Sequence, residues 1–201
     1  MKKKKKILIG THNLGKFKEL SYLISSRFKK ISPVDLGIGS PKETKKTFKG
    51  NSQLKAEYFY KKSKIISLSD DSGLSVKCLN GKPGIHSARL AKRKGGFSKA
   101  MKFIIKKVKD KNNKKKIKDT RAEFICCLTI KIPKKKSLSA TGVIKGNISF
   151  KPKGKNGFGY DPIFIPKNYN CTFGEMNKKK KILMDHRFIA FKKLKKKISF
   201  L

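Results

Sequence analysis

The stretch SLSDDSGLSVKC, residues 67 to 78, decides how this chain is read. An apolar run, Ile65-Ile66-Ser67-Leu68, leads in, and Leu74-Ser75-Val76 alternates on the way out. Short β-forming runs of this kind read as strand segments. Gly73 between them allows a tight turn, so strand, turn, strand is expected. Asp70 and Asp71 stand side by side in a chain with 12 acidic residues against 54 basic ones. Adjacent strand residues point to opposite faces, so the two cannot share one proton unless the turn bends the chain. Either one carboxylate faces a cleft while the other braces a loop or shares a metal ion through water, or the pair caps a turn.

Outward from that stretch, 201 residues suit one domain, 1–201, with room for two lobes. Apolar residues are 37% of the chain, and they cluster in KILIG, KIISL, EFICCLTI, LSATGVI and DPIFIP, which excludes disorder for most of the length. The net charge of +42 suggests nucleic acid, but only five basic residues are Arg: Arg27, Arg89, Arg93, Arg121 and Arg187. Arg is the residue that reads guanine edges and clamps phosphate in two places. Lysine spread along the whole chain fits compositional drift, with nonspecific, salt-dependent attraction of polyanions. Four cysteines without C-x-x-C spacing read as reduced thiols of a cytoplasmic protein. Ile7 to Ile9 is too short for a secretory core, and no run approaches the ~20 apolar residues of a membrane span.

Periodicity gives the elements. KILIG reads as a buried strand, followed by a turn at Gly10 to Asn13 and a helix with Leu14, Phe17, Leu20, Tyr22, Leu23 and Ile24 on its apolar side. ISPVDL (31–36) is a candidate second strand, and a second helix starts at Thr47. LNGKPGIHSARLAKRKGG (79–96) reads as an irregular loop, FSKAMKFIIKKVK (97–109) as an amphipathic helix, and DKNNKKKIKD (110–119) as a polar linker. TRAEFICCLTIKI and KSLSATGVIKGNISF form an antiparallel pair, a short strand follows Gly159, and DHRFIAFKKLKKKISF closes the chain as a helix.

Chemistry has four candidate places. In GTHNLGK (10–16) a helix start offers unpaired N–H groups and a dipole to an anion, with Lys16 beside it. It is no Walker A loop, because Phe17 stands where Ser or Thr would hold magnesium. The Asp70–Asp71 pair offers hard oxygens, which in a phosphate-rich site suit Mg²⁺. In GFGYDPIF (157–164) two glycines let backbone approach a ligand, Phe158 or Tyr160 offers a ring for stacking, and Asp161 offers an acceptor. His186 and Arg187 open the last helix, where Asp185 is a candidate cap. Together these describe binding of a nucleoside polyphosphate.

The same blocks carry a family resemblance. THNLGKFKEL resembles a T-x-N-x-x-K-x-x-E opening, LSDDSGLSV a D-D-S-G-L block, GKPGIHSAR a P-G-x-x-S-A-R block. GFGYDPIF and DHRFIAFKKL resemble G-F-G-Y-D-P-[IV]-F and S-H-R-x-x-A-x-x-x-L. In this order they resemble the Ham1/RdgB family of non-canonical purine nucleoside triphosphate pyrophosphatases. The resemblance implies an α/β fold of the ITPase/Maf type, an elongated mixed β-sheet flanked by helices, with two lobes and a central active-site cleft. It implies Mg²⁺-dependent hydrolysis of ITP, dITP, XTP or dXTP to monophosphate and pyrophosphate, by a homodimer. Carried over by position, Thr11, His12, Asn13, Leu14, Gly15 and Lys16 hold phosphates, with Lys55 from NSQLKA. Asp71 is the general base and a metal ligand with Glu43 and Asp70, and Ser72 touches substrate. Phe158, Gly159, Tyr160 and Asp161 form the base pocket with Lys181, His186 and Arg187. The chain departs from the pattern at Asp185 (usually Ser), Gly50 (often acidic), Ser52 (often Ala) and Lys45 (often Gly). Asp185 puts pocket selectivity in question. Two rivals make different predictions: a Maf-type enzyme prefers pyrimidine nucleotides, and a nucleic-acid-binding module holds its ligand at physiological salt.

Overall fold

The computed structural model describes residues 4–198. One six-stranded sheet has the order β2-β1-β3-β4-β5-β6. The strands are β1 (Lys5–Ile9), β2 (Phe28–Ile31), β3 (Ser67–Val76), β4 (Arg121–Lys131), β5 (Leu138–Ile148) and β6 (Phe164–Pro166). The helices are α1 (Leu14–Leu23), α2 (Phe48–Ser63), α3 (Ser87–Arg93), α4 (Phe97–Lys115), α5 (Lys178–Ile182) and α6 (His186–Lys195). The sheet is mixed: β1 runs parallel to both β2 and β3, and β6 antiparallel to β5. Thr129 faces Ser139 across 2.8 Å, and Ile148 donates to the Thr120 carbonyl, so β4 and β5 run in opposite directions as expected. The fold is α/β, as the sequence predicts.

The chain divides into two compact units. The first runs to Asp71 and adds Cys126–Gly142 and the segment from His186; the second is Ser72–Ile125 with Val143–Asp185. Within the first, β1 shows why a parallel strand reads as an unbroken apolar run. Ile7 and Ile9 pack with Leu20 of α1, Leu128 of β4 and Phe191 of α6, while Leu8 packs with Phe59 of α2. Leu68 of β3 joins the α1–α6 side. Within the second unit, Ala100, Met101, Ile104, Ile105 and Val108 of α4 pack on Leu74, Val76, Phe124 and Phe164.

Several expectations are corrected. Residues 67–76 make one uninterrupted strand. Gly73 serves closeness instead of a turn: a Cβ there would lie 2.2 Å from the Gly84 carbonyl oxygen. The second strand lies earlier than ISPVDL, because the residues after Ser32 turn into a 3₁₀ segment, Val34–Leu36, once Asp35 accepts from the Ser32 N–H. Loop 79–96 contains α3, and α4 runs through the supposed linker to Lys115. Lysine is a good helix former, so a run without apolar residues still extends a helix that is already anchored. On α1 the expected apolar residues Leu14 and Tyr22 are exposed, whereas Glu19 is buried.

Candidate active site

In the first unit, pleating separates the two aspartates. Asp70 shares the face of Leu68 and meets α1 and α6: its Oδ2 lies 3.1 Å from Lys16 Nζ and 3.4 Å from Arg187 Nη2. Asp71 faces α2, where Asn51 Nδ2 donates to its Oδ2 at 3.1 Å and Lys55 Nζ stands 3.8 Å from Oδ1. Lys55 also reaches Glu43 Oε1 at 2.6 Å. Arg187 is buried and engages Glu19 as well as Asp70.

These partners push the neighbouring carboxyls apart. Burial opposes charge on Asp70, but Lys16, Arg187 and Lys55 overcome it and hold the group well below the usual carboxylate range. Burial pushes Asp71 up; Lys55 pulls against this and Glu43 adds to it. Burial disfavours the Lys55 ammonium, yet the surrounding carboxylates keep its pKa raised. Two adjacent acids with diverging pKa values are how one site separates a fixed charge from a proton acceptor.

The turn before α1 is capped by Asn13, whose Oδ1 accepts from Lys16 N at 3.0 Å. Thr11 Oγ1 accepts from Asn13 N. Among the described residues, the Leu14 and Gly15 N–H groups have no protein acceptor, so the helix start keeps donors for an anion. His12 is turned elsewhere, with both ring nitrogens bonded to Ser40 and the Ile38 carbonyl.

Glu43 and Asp71 already converge on one cation, the Lys55 ammonium, and their hard oxygens suit Mg²⁺. Among the described residues no group of three or more His, Cys, Asp or Glu gathers at metal-binding spacing. Two carboxylates are what Mg²⁺ ordinarily takes from protein, with water and phosphate completing its shell. Asp70, expected as a third ligand, has Lys16 and Arg187 at its Oδ2.

The second unit holds the glycine-rich turn. Gly157 and Gly159 have φ of 74° and 68°, which lets the chain fold back so that Asp161 Oδ2 accepts from Phe158 N at 2.8 Å. Lys181 is buried, 3.0 Å from Asp161 Oδ2 and 3.5 Å from Asp185 Oδ2, with its ammonium 4.9 Å from the Phe158 ring centre. Asp185 therefore steadies Lys181. Tyr160 is not a stacking platform. It is buried edge-on against Phe97, its hydroxyl donates to the Ser87 carbonyl at 2.9 Å, and burial raises its pKa. That leaves Phe158, only partly buried, as the ring of this turn. Ser72 is half-buried on β3. His186 and Arg187, expected in the base pocket, belong to the first unit, where Arg187 supports the acid pair.

Sequence reasoning gave no role to Asn51, Glu19 or Ser87. Asn51 opens the NSQLKA stretch one helical turn before Lys55, and Glu19 lies one turn after Lys16. That i, i+3/i+4 spacing was the available signal, since it puts each on the face of its charged neighbour.

A helix start with spare donors beside Lys16 and an acid pair with different partners make a site that suits an anionic, phosphate-bearing ligand. The model of the Ham1 family matches residues 7–197, and the chain belongs to that family. It is 41% identical over 190 residues to a dITP/XTP pyrophosphatase of Caulobacter vibrioides, covering 94% of this chain and 96% of that one. It is 38% identical to a dITP/XTP pyrophosphatase of Haemophilus influenzae, covering 97% and 100%. The solved structure of a HAM1 protein from Coxiella burnetii superposes with a TM-score of 0.84 at 28% identity, covering 98% and 100%.

Proposed function

We propose that the chain is a pyrophosphatase for non-canonical purine nucleoside triphosphates, releasing pyrophosphate and the monophosphate from dITP, ITP, XTP or dXTP. The observation that carries the reading is the contrast within the acid pair: Asp70 Oδ2 is held by Lys16 and Arg187, while Asp71 Oδ2 accepts from Asn51 and its Oδ1 stands 3.8 Å from Lys55 Nζ. Membership of a family whose relatives are named dITP/XTP pyrophosphatases supplies the substrate class.

The chain acts as one catalytic domain, 1–201. The Leu14 and Gly15 amides and Lys16 hold the triphosphate. Asp71, oriented by Asn51 at Oδ2, takes the proton of the attacking water at Oδ1 as the α-phosphorus is displaced from pyrophosphate. Asp71 and Glu43 would hold Mg²⁺, which when bound offsets charge building on the phosphate oxygens. Phe158 stacks the base, and Lys181, whose ammonium donates and cannot accept, suits the 6-keto oxygen of hypoxanthine or xanthine. Adenine presents an amino donor there and leaves Lys181 unanswered. The resemblance supports a homodimer, and buried cysteines outside any disulfide, such as Cys78 and Cys127, support a cytoplasmic setting. Among the described residues no helix is long and apolar enough to cross a membrane.

The test is a panel of dITP, XTP, ATP, GTP and dTTP with Mg²⁺, pyrophosphate being measured separately from phosphate. Pyrophosphate from dITP and XTP in preference to the rest is expected. Preference for dTTP, or release of single phosphates, would refute the reading.

A further inference from the structure

Glu43 reaches Lys55 from a segment with little structure of its own. Residues 38–45 form neither helix nor strand. One end is staked by Asn51, whose Oδ1 accepts from Lys45 N at 2.9 Å while its Nδ2 holds Asp71. The other end is staked by His12. Its Nε2 lies 3.0 Å from the Ile38 carbonyl oxygen, and its Nδ1 lies 2.6 Å from Ser40 Oγ. A carbonyl only accepts, so Nε2 carries the hydrogen and Nδ1 accepts from the Ser40 hydroxyl. One neutral tautomer satisfies both bonds, and the ring has no further in-plane position for a phosphate oxygen. Its centre also lies 6.1 Å from that of Phe59 on α2.

We infer that His12 is a positioning residue: it clips residues 38–40 to the turn that carries Thr11 and Asn13, and so keeps Glu43 on Lys55. The clip ties the loop bearing one acidic group of the site to the loop bearing its anion donors, so both are set by one imidazole. Its consequence for turnover rests on the function proposed above; the clip itself does not.

The experiment compares ligand-free wild type, His12→Ala, Ser40→Ala and Ser40→Thr by amide hydrogen exchange, and measures dITP hydrolysis on the same proteins. Ser40 is exposed, so its variants test the clip without threatening the fold. Exchange at 38–45 is expected to rise roughly fivefold or more in His12→Ala and Ser40→Ala, the loss of about one or two net hydrogen bonds. Exchange in α1 should not change, and Ser40→Thr, which keeps the hydroxyl, should match wild type. In hydrolysis the two alanine variants should lose kcat, roughly tenfold, with KM little altered. Unchanged exchange at 38–45 in His12→Ala overturns the inference. So does a raised KM in His12→Ala with a silent Ser40→Ala, the pattern of a direct phosphate ligand. A wild type that releases no pyrophosphate from dITP would overturn the proposed function, while the exchange pattern would still decide the clip.

Discussion

The two units bury charge in opposite ways. In the first, carboxylates sit among cations: Asp70 between Lys16 and Arg187, Asp71 and Glu43 around Lys55. In the second, one cation sits among carboxylates, Lys181 between Asp161 and Asp185, with Phe158 and Phe173 rings beside it. A chain with 54 basic and 12 acidic residues thus concentrates its scarce acids where charge must be buried. Buried ions are costly unless paired, and the pairing decides what each can do. Unequal partners leave Asp70 and Asp71 with different basicities, which is a condition for moving a proton. Flanking partners fix Lys181 as a donor, which is a condition for reading a base.

The sharpest way to break that contrast is at Asp71. Asp71→Asn keeps the shape and an Asn51 partner but removes the proton acceptor, so kcat should fall about 10³-fold or more with little change in melting temperature. A variant within tenfold of wild type would end the division of labour. Next in size is Arg187→Met, which leaves Glu19 and Asp70 buried without their guanidinium. It should cost about 3–5 kcal/mol in urea unfolding, as breaking one side of a buried ion pair does. A cost under about 1 kcal/mol would show that Lys16 alone suffices. In the second unit, Lys181→Met should lower kcat/KM for dITP far more than for dATP, so that the preference for dITP over dATP drops by about 10²-fold. An equal loss with both nucleotides would make Lys181 structural and dissolve the contrast.

How far the sequence could be read follows the same physics. β1 was legible as an unbroken apolar run and α4 by the periodic apolar face it buries; α2 was legible although its buried residues, Asn51, Ser52, Ala56 and Phe59, are half polar. The continuity of β3 was not, since Gly73 looks like a turn residue and only the nearness of Gly84 explains it. The acid pair and Lys16 stood out by rarity and by position at element ends. The family resemblance carries Arg187 to the base pocket together with His186, yet a buried guanidinium goes where buried carboxylates demand it, and Glu19 lies 168 positions away along the chain. Tyr160 likewise looked like a stacking ring until its hydroxyl found the Ser87 carbonyl. Long-range polar pairing leaves no periodic trace, so those roles had to come from coordinates.

The smallest expected effect tests whether the units also differ in how pH reaches them. Asp70 has a folded-state pKa below its unfolded value near 3.8, so the stability it contributes is complete above that pH and is lost as pH falls further. Tyr160 is the reverse: burial raises its phenol above the ordinary value near 10, so its contribution is complete below pH 10 and drains away as pH rises beyond it. Many lysines titrate in that same alkaline range, so wild type alone would not isolate the phenol. The difference between wild type and Tyr160→Phe cancels them. At pH 7 the variant should be less stable by about 1 kcal/mol, the worth of the bond to Ser87. By pH 11 in urea unfolding the gap should close, because wild type alone then bears the cost of keeping a phenol neutral in a buried place. A gap that stays constant from pH 7 to 11 would mean that the hydroxyl titrates alike in both states, and that the second unit's interior is wetter than its packing against Phe97 implies.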